Sequence, residues 1–175
     1  MTLPASAGGA LGRRLLLKAA DVMEAHTADF AAVMEREVGA SEGWAGFNVH
    51  LAAGIFREAA SLTTQIQGET IPTDKPGTLS MTIRQPVGVV LSIAPWNGPV
   101  ILATRAIAYP MACGNTVVLK ASELSPGTHL LIAQVLREAG VPKGVLNVVT
   151  NAPKDAAEIV GALIAHPAVR RVNFT

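Results

Sequence analysis

The fold is decided by the stretch Val87-Gly88-Val89-Val90-Leu91-Ser92-Ile93-Ala94-Pro95-Trp96-Asn97-Gly98-Pro99. It begins as an apolar run of the kind that forms a buried strand, and the run breaks at a proline. Trp96 and Asn97 then stand where a strand turns into a helix. In open α/β sheets, ligands bind beyond the carboxyl ends of the strands. The stretch therefore predicts a buried strand whose end carries a functional site.

A second strand of the same kind follows within Gly114-Asn115-Thr116-Val117-Val118-Leu119-Lys120-Ala121-Ser122-Glu123. It also ends in functional side chains, which are charged here. The first strand end offers the uncharged amide donor of Asn97. Two such strand ends, this close in the sequence, indicate a nucleotide-dependent enzyme.

Strands and helices alternate from Pro86 onward. Pro126 stands at a helical first turn and Gly140 just past a helix end, as each residue type prefers. This alternation predicts an α/β fold with a parallel sheet and crossover helices. The expected strands are residues 87–93, 116–120, 145–150 and 171–174, and the expected helices are residues 100–111, 126–139 and 155–165.

The first half of the chain has a different organisation. We expect a flexible lead-in over residues 1–12, then helices over 13–39 and from 44 to 64. Residues 78–84 alternate like a strand, so two helices and an antiparallel strand segment precede the parallel sheet. That strand fits either a small sheet that makes subunit contacts or a simple edge strand. The expected units are therefore residues 13–85 and residues 86–175.

The composition excludes several classes of function. The net charge is +1 and no basic stripe occurs, which argues against a nucleic-acid partner. No apolar run reaches the roughly 18 residues of a membrane span, and the first ten residues lack the order of a secretory signal. These features predict a cytoplasmic protein with no membrane partner. The four histidines have no metal-ligand spacing, so we expect no metal.

The motifs together resemble the aldehyde dehydrogenase family. Residues 43–50 and 64–69 are most similar to its salicylaldehyde and vanillin branch. The resemblance implies an incomplete Rossmann-like cofactor domain, and it implies oxidation of a small aromatic aldehyde through a cysteine thioester. The motifs that carry it are Gln85-Pro86-Val87-Gly88-Val89-Val90, Pro95-Trp96-Asn97, Ala112-Cys113-Gly114-Asn115-Thr116-Val117-Val118-Leu119-Lys120, Ser122-Glu123, Gly140-Val141-Pro142, Gly144-Val145-Leu146-Asn147-Val148-Val149 and Phe174-Thr175.

The resemblance also implies parts that lie beyond Thr175. The family has a phosphate-binding Gly-Ser-Thr-x-x-Gly turn after Phe-Thr, and a nucleophilic cysteine and a general-base glutamate further on. We therefore expect this chain to be the amino-terminal part of a homo-oligomeric enzyme and to be inactive alone. The alternative is a non-catalytic dinucleotide-binding or interaction fragment. An unrelated Rossmann-like enzyme is disfavoured because the Gly-x-Gly-x-x-Gly turn is missing.

Asn97 matches the family asparagine that donates to the aldehyde oxygen. An oxygen that gains negative charge during the reaction is stabilised by a preorganised donor. We expect this carboxamide to face a bound nicotinamide in a pocket bounded by Lys120 and Glu123. The alternative is that Asn97 only caps the following helix, which is a common role for asparagine.

Lys120 and Glu123 match family positions that hold the adenosine ribose. The lysine can donate to ribose hydroxyls and the carboxylate can accept from a 2′-hydroxyl. The same carboxylate repels a 2′-phosphate, which favours NAD over NADP. Ser122 and Glu123 could instead form a simple helix cap. The resemblance adds Ser122 to the cofactor contacts, and it implies backbone and apolar surface under the nicotinamide from Ile93, Ala94, Pro95 and Trp96.

The helix after Asn97 carries candidate substrate contacts. Ile101 and Arg105 follow Asn97 along one helix face, and Arg105 lies roughly 12 Å from Asn97. That distance suits the far end of an aromatic substrate, although a solvated surface arginine is the alternative. The family commonly has phenylalanine where Gly98 stands, so a wider entrance is expected. The predicted aromatic-aldehyde pocket consists of Phe47, Leu51, Gly98, Ile101, Leu102 and Arg105.

Cys113 is the only cysteine of the chain. A lone cysteine is often a candidate nucleophile. Here it stands between Ala112 and Gly114, ahead of a buried strand, where a small apolar residue fits. It lacks an adjacent histidine and a helical first-turn position, the usual means of activating a thiol. We therefore expect a structural role.

Overall fold

A computed structural model describes residues 8–175 of the chain. The helices are α1 (Gly8–Ala25), α2 (Thr27–Val38), α3 (Glu42–Leu62), α4 (Pro99–Ala112), α5 (Pro126–Glu138) and α6 (Ala156–Ala165), with a 3₁₀ turn at Pro153–Asp155. The strands are β1 (Thr70–Ile71), β2 (Ser80–Met81), β3 (Val89–Ile93), β4 (Thr116–Lys120), β5 (Leu146–Val149) and β6 (Val169–Phe174). None of these helices has the length and apolarity that crossing a bilayer requires.

The four longer strands form one parallel sheet in the order β5-β4-β3-β6. Each is joined to the next in sequence through a helix, so the predicted parallel sheet with crossover helices is confirmed. Pairing places Ile93, the last residue of β3, beside Lys120, the last residue of β4. The loops that follow these two strands therefore leave the same edge of the sheet side by side.

The core lies between the helices and one face of this sheet. Its largest fully buried side chains include Phe30, Phe56 and Met23. Helix α3 buries a face built mainly of alanines, while a Cβ added at its glycines Gly43, Gly46 and Gly54 would meet no neighbour. Phe47 and Leu51 lie on the opposite, exposed side. The small buried residues let α3 pack closely and leave Phe47 and Leu51 for another contact.

Two contacts fix how α3 lies against α4. The Ile101 N–H donates to Asn48 Oδ1 at 3.5 Å, and the Tyr109 hydroxyl donates to Glu58 Oε2 at 3.1 Å. The second contact lies later than the first in both α3 and α4, so the two helices run in the same direction. Leu51 consequently lies between these contacts on α3, as Arg105 does on α4.

Two expectations for the first forty residues were wrong. Helix α1 begins at Gly8, so the flexible lead-in does not extend to residue 12, and residues 1–7 lie outside the described part. The helix starts early because the half-buried Leu11 extends the apolar stripe that Leu16 and Ala19 continue. The single helix predicted over 13–39 is also divided at His26. Beside the break the Thr27 hydroxyl donates to the Glu24 carbonyl at 2.6 Å, a bond that bends helices.

The predicted strand over 78–84 shortens to β2, which pairs antiparallel with β1. Beyond this pair the Thr82 N–H donates to the Glu69 carbonyl at 2.8 Å, and Arg84 Nε donates to the Gln67 carbonyl at 3.1 Å. The alternating side chains of this segment are largely exposed. The antiparallel segment is confirmed, while its role in subunit contacts stays a prediction.

Candidate functional site

The candidate site lies at the carboxyl edge of the parallel sheet. Residues 94–98 connect β3 to α4, and residues 121–125 connect β4 to α5. Both ends of the first loop are packed in the protein interior, because Ala94 and Gly98 are buried. Ile93 and Pro95 are half-buried and Trp96 is exposed, so the solvent exposure of the predicted contact residues increases along the loop from Ala94 to Trp96.

Asn97 has a solvent-exposed side chain that lines a cleft of about 380 Å³. Trp44 and Trp96 line the same cleft, with the loop of residues 38–41. Its carboxamide makes no hydrogen bond to the rest of residues 8–175. A ligand in this cleft could therefore use the amide as a donor.

The alternative role of Asn97 as a helix cap is wrong. The N-cap of α4 is Gly98, which has no side chain to accept a bond. Asn48, fully buried on α3, accepts from the third amide of α4 instead and donates to the Trp44 carbonyl at 3.0 Å. A residue of another helix thus performs the capping, and Asn97 is available for a different task.

Lys120 and Glu123 form an ion pair at the end of β4. Lys120 is almost fully buried, and Glu123 is partly buried. The hydrogen bond from Lys120 lowers the pKa of Glu123 to about 2, and a second bond from Asn151 Nδ2 at 3.0 Å acts in the same direction. The glutamate is therefore an anion at neutral pH, and a lysine N–H and a carboxylate oxygen lie together.

Asn151 is a site residue that sequence reasoning missed. It follows β5, whose Val149 pairs with Lys120, so a third strand end reaches the same place. Its Nδ2 bonds Glu123, while its Oδ1 is buried and has no partner within residues 8–175. The available signal was the same as at Asn97, namely a polar residue directly after an apolar strand.

Ser122 and Glu123 do not cap α5, so that alternative is also wrong. Helix α5 begins at Pro126, three residues after Glu123. The Ser122 hydroxyl accepts from the Leu124 N–H at 3.2 Å, within the loop itself. The first free amides of α5 bind Glu37 of α2, with Gly127 N–H at 2.6 Å and Thr128 N–H at 2.9 Å.

The predicted substrate residues lie on the neighbouring helices α3 and α4, outside the cleft that Asn97 lines. Phe47 and Leu51 are exposed on α3, and Phe47 stacks on Trp44 with ring centres 5.5 Å apart. On α4, Ile101 and Leu102 are half-buried and Arg105 is exposed. Trp44 is a second residue that sequence reasoning missed, although its spacing of three and seven residues from Phe47 and Leu51 places all three on one helix face.

The cleft that Asn97 lines does not extend to the Lys120–Glu123 pair, in contrast to the expected pocket. It is completed by α2, α3 and their connection rather than by β4. The strand register nevertheless brings the two loops to neighbouring positions on one sheet edge. The contacts of all these residues with substrate and cofactor stay predictions.

Cys113 lies at the far end of α4 from Asn97. It is exposed at the C-cap of the helix, and its structural role stays a prediction. At 1.5 Å per residue the helix places it roughly 22 Å from Gly98. This distance agrees with the prediction that Cys113 is not a nucleophile for a substrate beside Asn97.

Comparison with known proteins gives a consistent family assignment. The model of the aldehyde dehydrogenase family matches residues 11–175. The salicylaldehyde dehydrogenase of Pseudomonas putida is 66% identical over 163 residues, which are 93% of this chain and 34% of that protein. The vanillin dehydrogenase of Pseudomonas fluorescens is 64% identical over 163 residues, with the same coverage of each chain. The chain thus spans about a third of the length of the curated relatives it matches.

Solved structures agree with these relatives. The crystal structure of a salicylaldehyde dehydrogenase from Pseudomonas putida G7, complexed with salicylaldehyde, superposes with a TM-score of 0.93 at 64% identity, over 95% of this chain and 34% of that one. The NAD-dependent aldehyde dehydrogenase from Sinorhizobium meliloti gives a TM-score of 0.88 at 35% identity, over 98% of this chain and 34% of that one. The sequence, the sheet topology and the residues at its carboxyl edge lead to one conclusion: this chain belongs to the aldehyde dehydrogenase family.

Proposed function

We propose that these residues form the amino-terminal part of an NAD-dependent enzyme that oxidises an aromatic aldehyde to its carboxylic acid. The reaction proceeds through a thioester on a cysteine that lies outside residues 1–175. One observation carries the proposal: an unbonded carboxamide, Asn97, opens onto a cleft walled by Trp44 and Trp96. Exposed apolar clusters of this kind mark ligand grooves.

The strand ends fit the adenosine ribose of NAD. Lys120 supplies a donor and Glu123 an anionic acceptor, and the buried Asn151 Oδ1 has no partner within residues 8–175. A sugar with vicinal hydroxyls satisfies such a donor and acceptor set. The Glu123 charge opposes a 2′-phosphate at this position, which favours NAD over NADP. When bound, NAD supplies the hydride acceptor for the oxidation.

Asn97 acts on the aldehyde oxygen. Thiolate attack moves negative charge onto this oxygen, and the carboxamide N–H donates to it. Because Gly98 fixes the start of α4 and Asn48 caps it, the backbone that carries Asn97 is anchored on a buried base. The backbone beneath the donor is therefore fixed before the charge develops.

The exposed side chains along α3 and α4 would select for aromatic substrates. Trp44 and Phe47 offer flat apolar surfaces on α3. Arg105, two helical turns from Asn97, lies where a ring substituent with acidic character would reach. The salicylaldehyde and vanillin enzymes that this chain resembles are named for hydroxylated benzaldehydes, which supports this substrate class.

The proposal is tested with the full-length protein that carries these 175 residues. NADH formation is followed with salicylaldehyde, with vanillin and with an aliphatic aldehyde, each with NAD and with NADP. We expect turnover with the hydroxylated benzaldehydes, a lower kcat/KM for the aliphatic aldehyde, and preference for NAD. Absence of NADH formation with every aldehyde would refute the proposed activity.

A further inference from the structure

We propose that His129 is a positioning residue that holds the loop of residues 121–125 in the conformation that binds the ribose. The inference rests on the proposed function, because it assigns the NAD-binding role to this loop. His129 makes no hydrogen bond to the charged groups of Lys120 or Glu123. It acts through the backbone of Ser122.

His129 is fully buried on the first turns of α5. Its Nδ1 accepts a hydrogen bond from the Ser122 N–H at 3.2 Å. Ser122 in turn holds the next part of the loop, since its hydroxyl accepts from the Leu124 N–H at 3.2 Å and its carbonyl from the Ser125 N–H at 3.3 Å. Glu123 therefore lies between Ser122, which the imidazole binds directly, and Leu124, which binds Ser122.

The bond to Ser122 sets the protonation of the imidazole. Nδ1 accepts, so the proton of a neutral ring lies on Nε2, which is buried and makes no hydrogen bond of ordinary geometry within residues 8–175. Burial lowers the pKa of His129 to about 4. A weak interaction with the Pro99 backbone and the charge of Glu37 oppose this shift, and the Lys120 charge adds to it. The ring is neutral at physiological pH, as an Nδ1 acceptor requires.

The ends of the loop are held by other contacts. At one end Lys120 belongs to β4, with the Ala121 N–H bonded to the Val149 carbonyl at 2.9 Å. At the other end Glu37 of α2 binds the amides of Gly127 and Thr128. Between these anchors, the backbone of residues 122–124 is tied to the core through His129, while Lys120 and Asn151 hold the Glu123 side chain. Loss of the His129 bond frees the backbone that carries Glu123 while leaving both anchors in place.

A loop that is ordered before binding does not have to be ordered by the ligand. Loss of the His129 bond should therefore weaken NAD binding and leave the chemical step intact. The readouts that separate positioning from general stability are the Kd for NAD, compared with kcat, and the exchange rates of the loop amides.

The test compares three variants of the full-length protein. In His129→Asn, Oδ1 occupies the place of Nδ1 and keeps the acceptor; His129→Gln and His129→Ala remove it. We expect the Ala and Gln variants to raise the Kd for NAD about tenfold, as loss of one preordering bond of about 1.4 kcal/mol would, with kcat nearly unchanged. The Asn variant should stay within about twofold of the parent, a residual cost below 0.5 kcal/mol.

The matched control is His166→Ala. His166 Nδ1 also accepts a backbone N–H, from Ala168 at 3.1 Å, but it precedes β6 and lies at the opposite edge of the sheet. This variant should leave NAD affinity unchanged.

Hydrogen exchange without NAD tests the inference separately from the proposed function. The amides of Ser122 and Leu124 should exchange faster in the Ala and Gln variants than in the parent and the Asn variant. Equal exchange rates and equal NAD affinity in all variants would overturn the inference. A parent protein that shows slow loop exchange but no NAD binding would refute the proposed function while supporting the positioning role.

Discussion

Asn97 is the residue on which the proposed chemistry depends most. We expect Asn97→Ala in the full-length protein to lower kcat by about 10² to 10³, the usual effect of losing one donor to a developing oxyanion. Because the side chain is exposed and makes no bond within residues 8–175, unfolding free energy should change by less than about 0.5 kcal/mol. Steady-state kinetics and urea unfolding measure the two effects. An unchanged kcat would remove Asn97 from the mechanism.

Glu123 should make stability depend on pH in the acid range. Its pKa falls from 4.5 to about 2 on folding, mainly through Lys120. A depressed carboxyl pKa stabilises the fold fully above the unfolded value, and this stabilisation is lost as the pH falls through the folded value. The difference in unfolding free energy between the parent and Glu123→Gln should therefore be constant above about pH 5.5 and shrink between about pH 4.5 and 2. A constant difference across that window would contradict the assigned ion pair.

Single site residues were predictable from the sequence where they stand at or just after the end of an apolar strand. Asn97, Lys120 and Glu123 follow apolar runs, and the sheet brings their loops to one edge. Asn48 and Glu37 were not predictable, because each caps a helix more than fifty residues away in the sequence. Such a role depends on tertiary packing and leaves no local pattern. Gly98 and Ser125, the local cap positions, make no side-chain cap bond.

Helix α5 depends on a cap that α2 supplies. Glu37 accepts from the Gly127 and Thr128 amides and from the Thr128 hydroxyl at 2.7 Å. Its negative charge also suits a helix amino terminus. We expect Glu37→Ala to lower the unfolding free energy by about 1 to 3 kcal/mol, since buried donors lose their acceptor. Urea unfolding measures this loss.

The control for that measurement is Glu35→Ala on the same helix, where the side chain is exposed. It removes the same charge from α2 but should change the unfolding free energy by less than about 0.5 kcal/mol. Equal effects of the two variants would show that Glu37 acts only through its charge.

The junction between α1 and α2 should respond to pH through His26. Its ring bonds Glu138 of α5 at 2.8 Å and Asp29 at 2.6 Å, and these carboxylates raise the pKa of His26 above 6.5. A raised histidine pKa stabilises the fold fully below the unfolded value, and the stabilisation is lost as the pH rises through the folded value. Thermal unfolding of the parent and His26→Asn should thus differ most near about pH 5.5 and converge at alkaline pH. A gap that widens with pH would contradict this assignment.

The types of the helices and strands were predictable from the periodicity of apolar residues. Which face of a helix is buried was less predictable. The alternation of strands and helices after Pro86 gave the parallel sheet, and β4 matches its predicted bounds. On α3 the apolar side chains Phe47 and Leu51 face outward, because the alanines on the other side allow closer packing against α1 and α4. Hydrophobic period alone does not tell a core face from a ligand groove.

At the scale of the whole molecule, the parallel sheet and the amino-terminal helices act together. Helices α2 and α3 supply the caps of α5 and α4, so the two loops at the site are fixed by the amino-terminal layer as well as by the sheet. The same layer lines the cleft that Asn97 faces. Under the proposed function, substrate selection and loop positioning therefore depend on the same helices.

The most direct test of the account is the response of substrate preference to Arg105→Ala in the full-length protein. Values of kcat/KM are measured for a hydroxylated benzaldehyde and for an aliphatic aldehyde, with Arg14→Ala, an exposed arginine on α1, as the control. We predict a clearly larger loss of kcat/KM for the hydroxylated benzaldehyde than for the aliphatic aldehyde, and no loss of kcat/KM in the control. Equal losses for both aldehydes would contradict an aromatic-aldehyde site between α3 and α4.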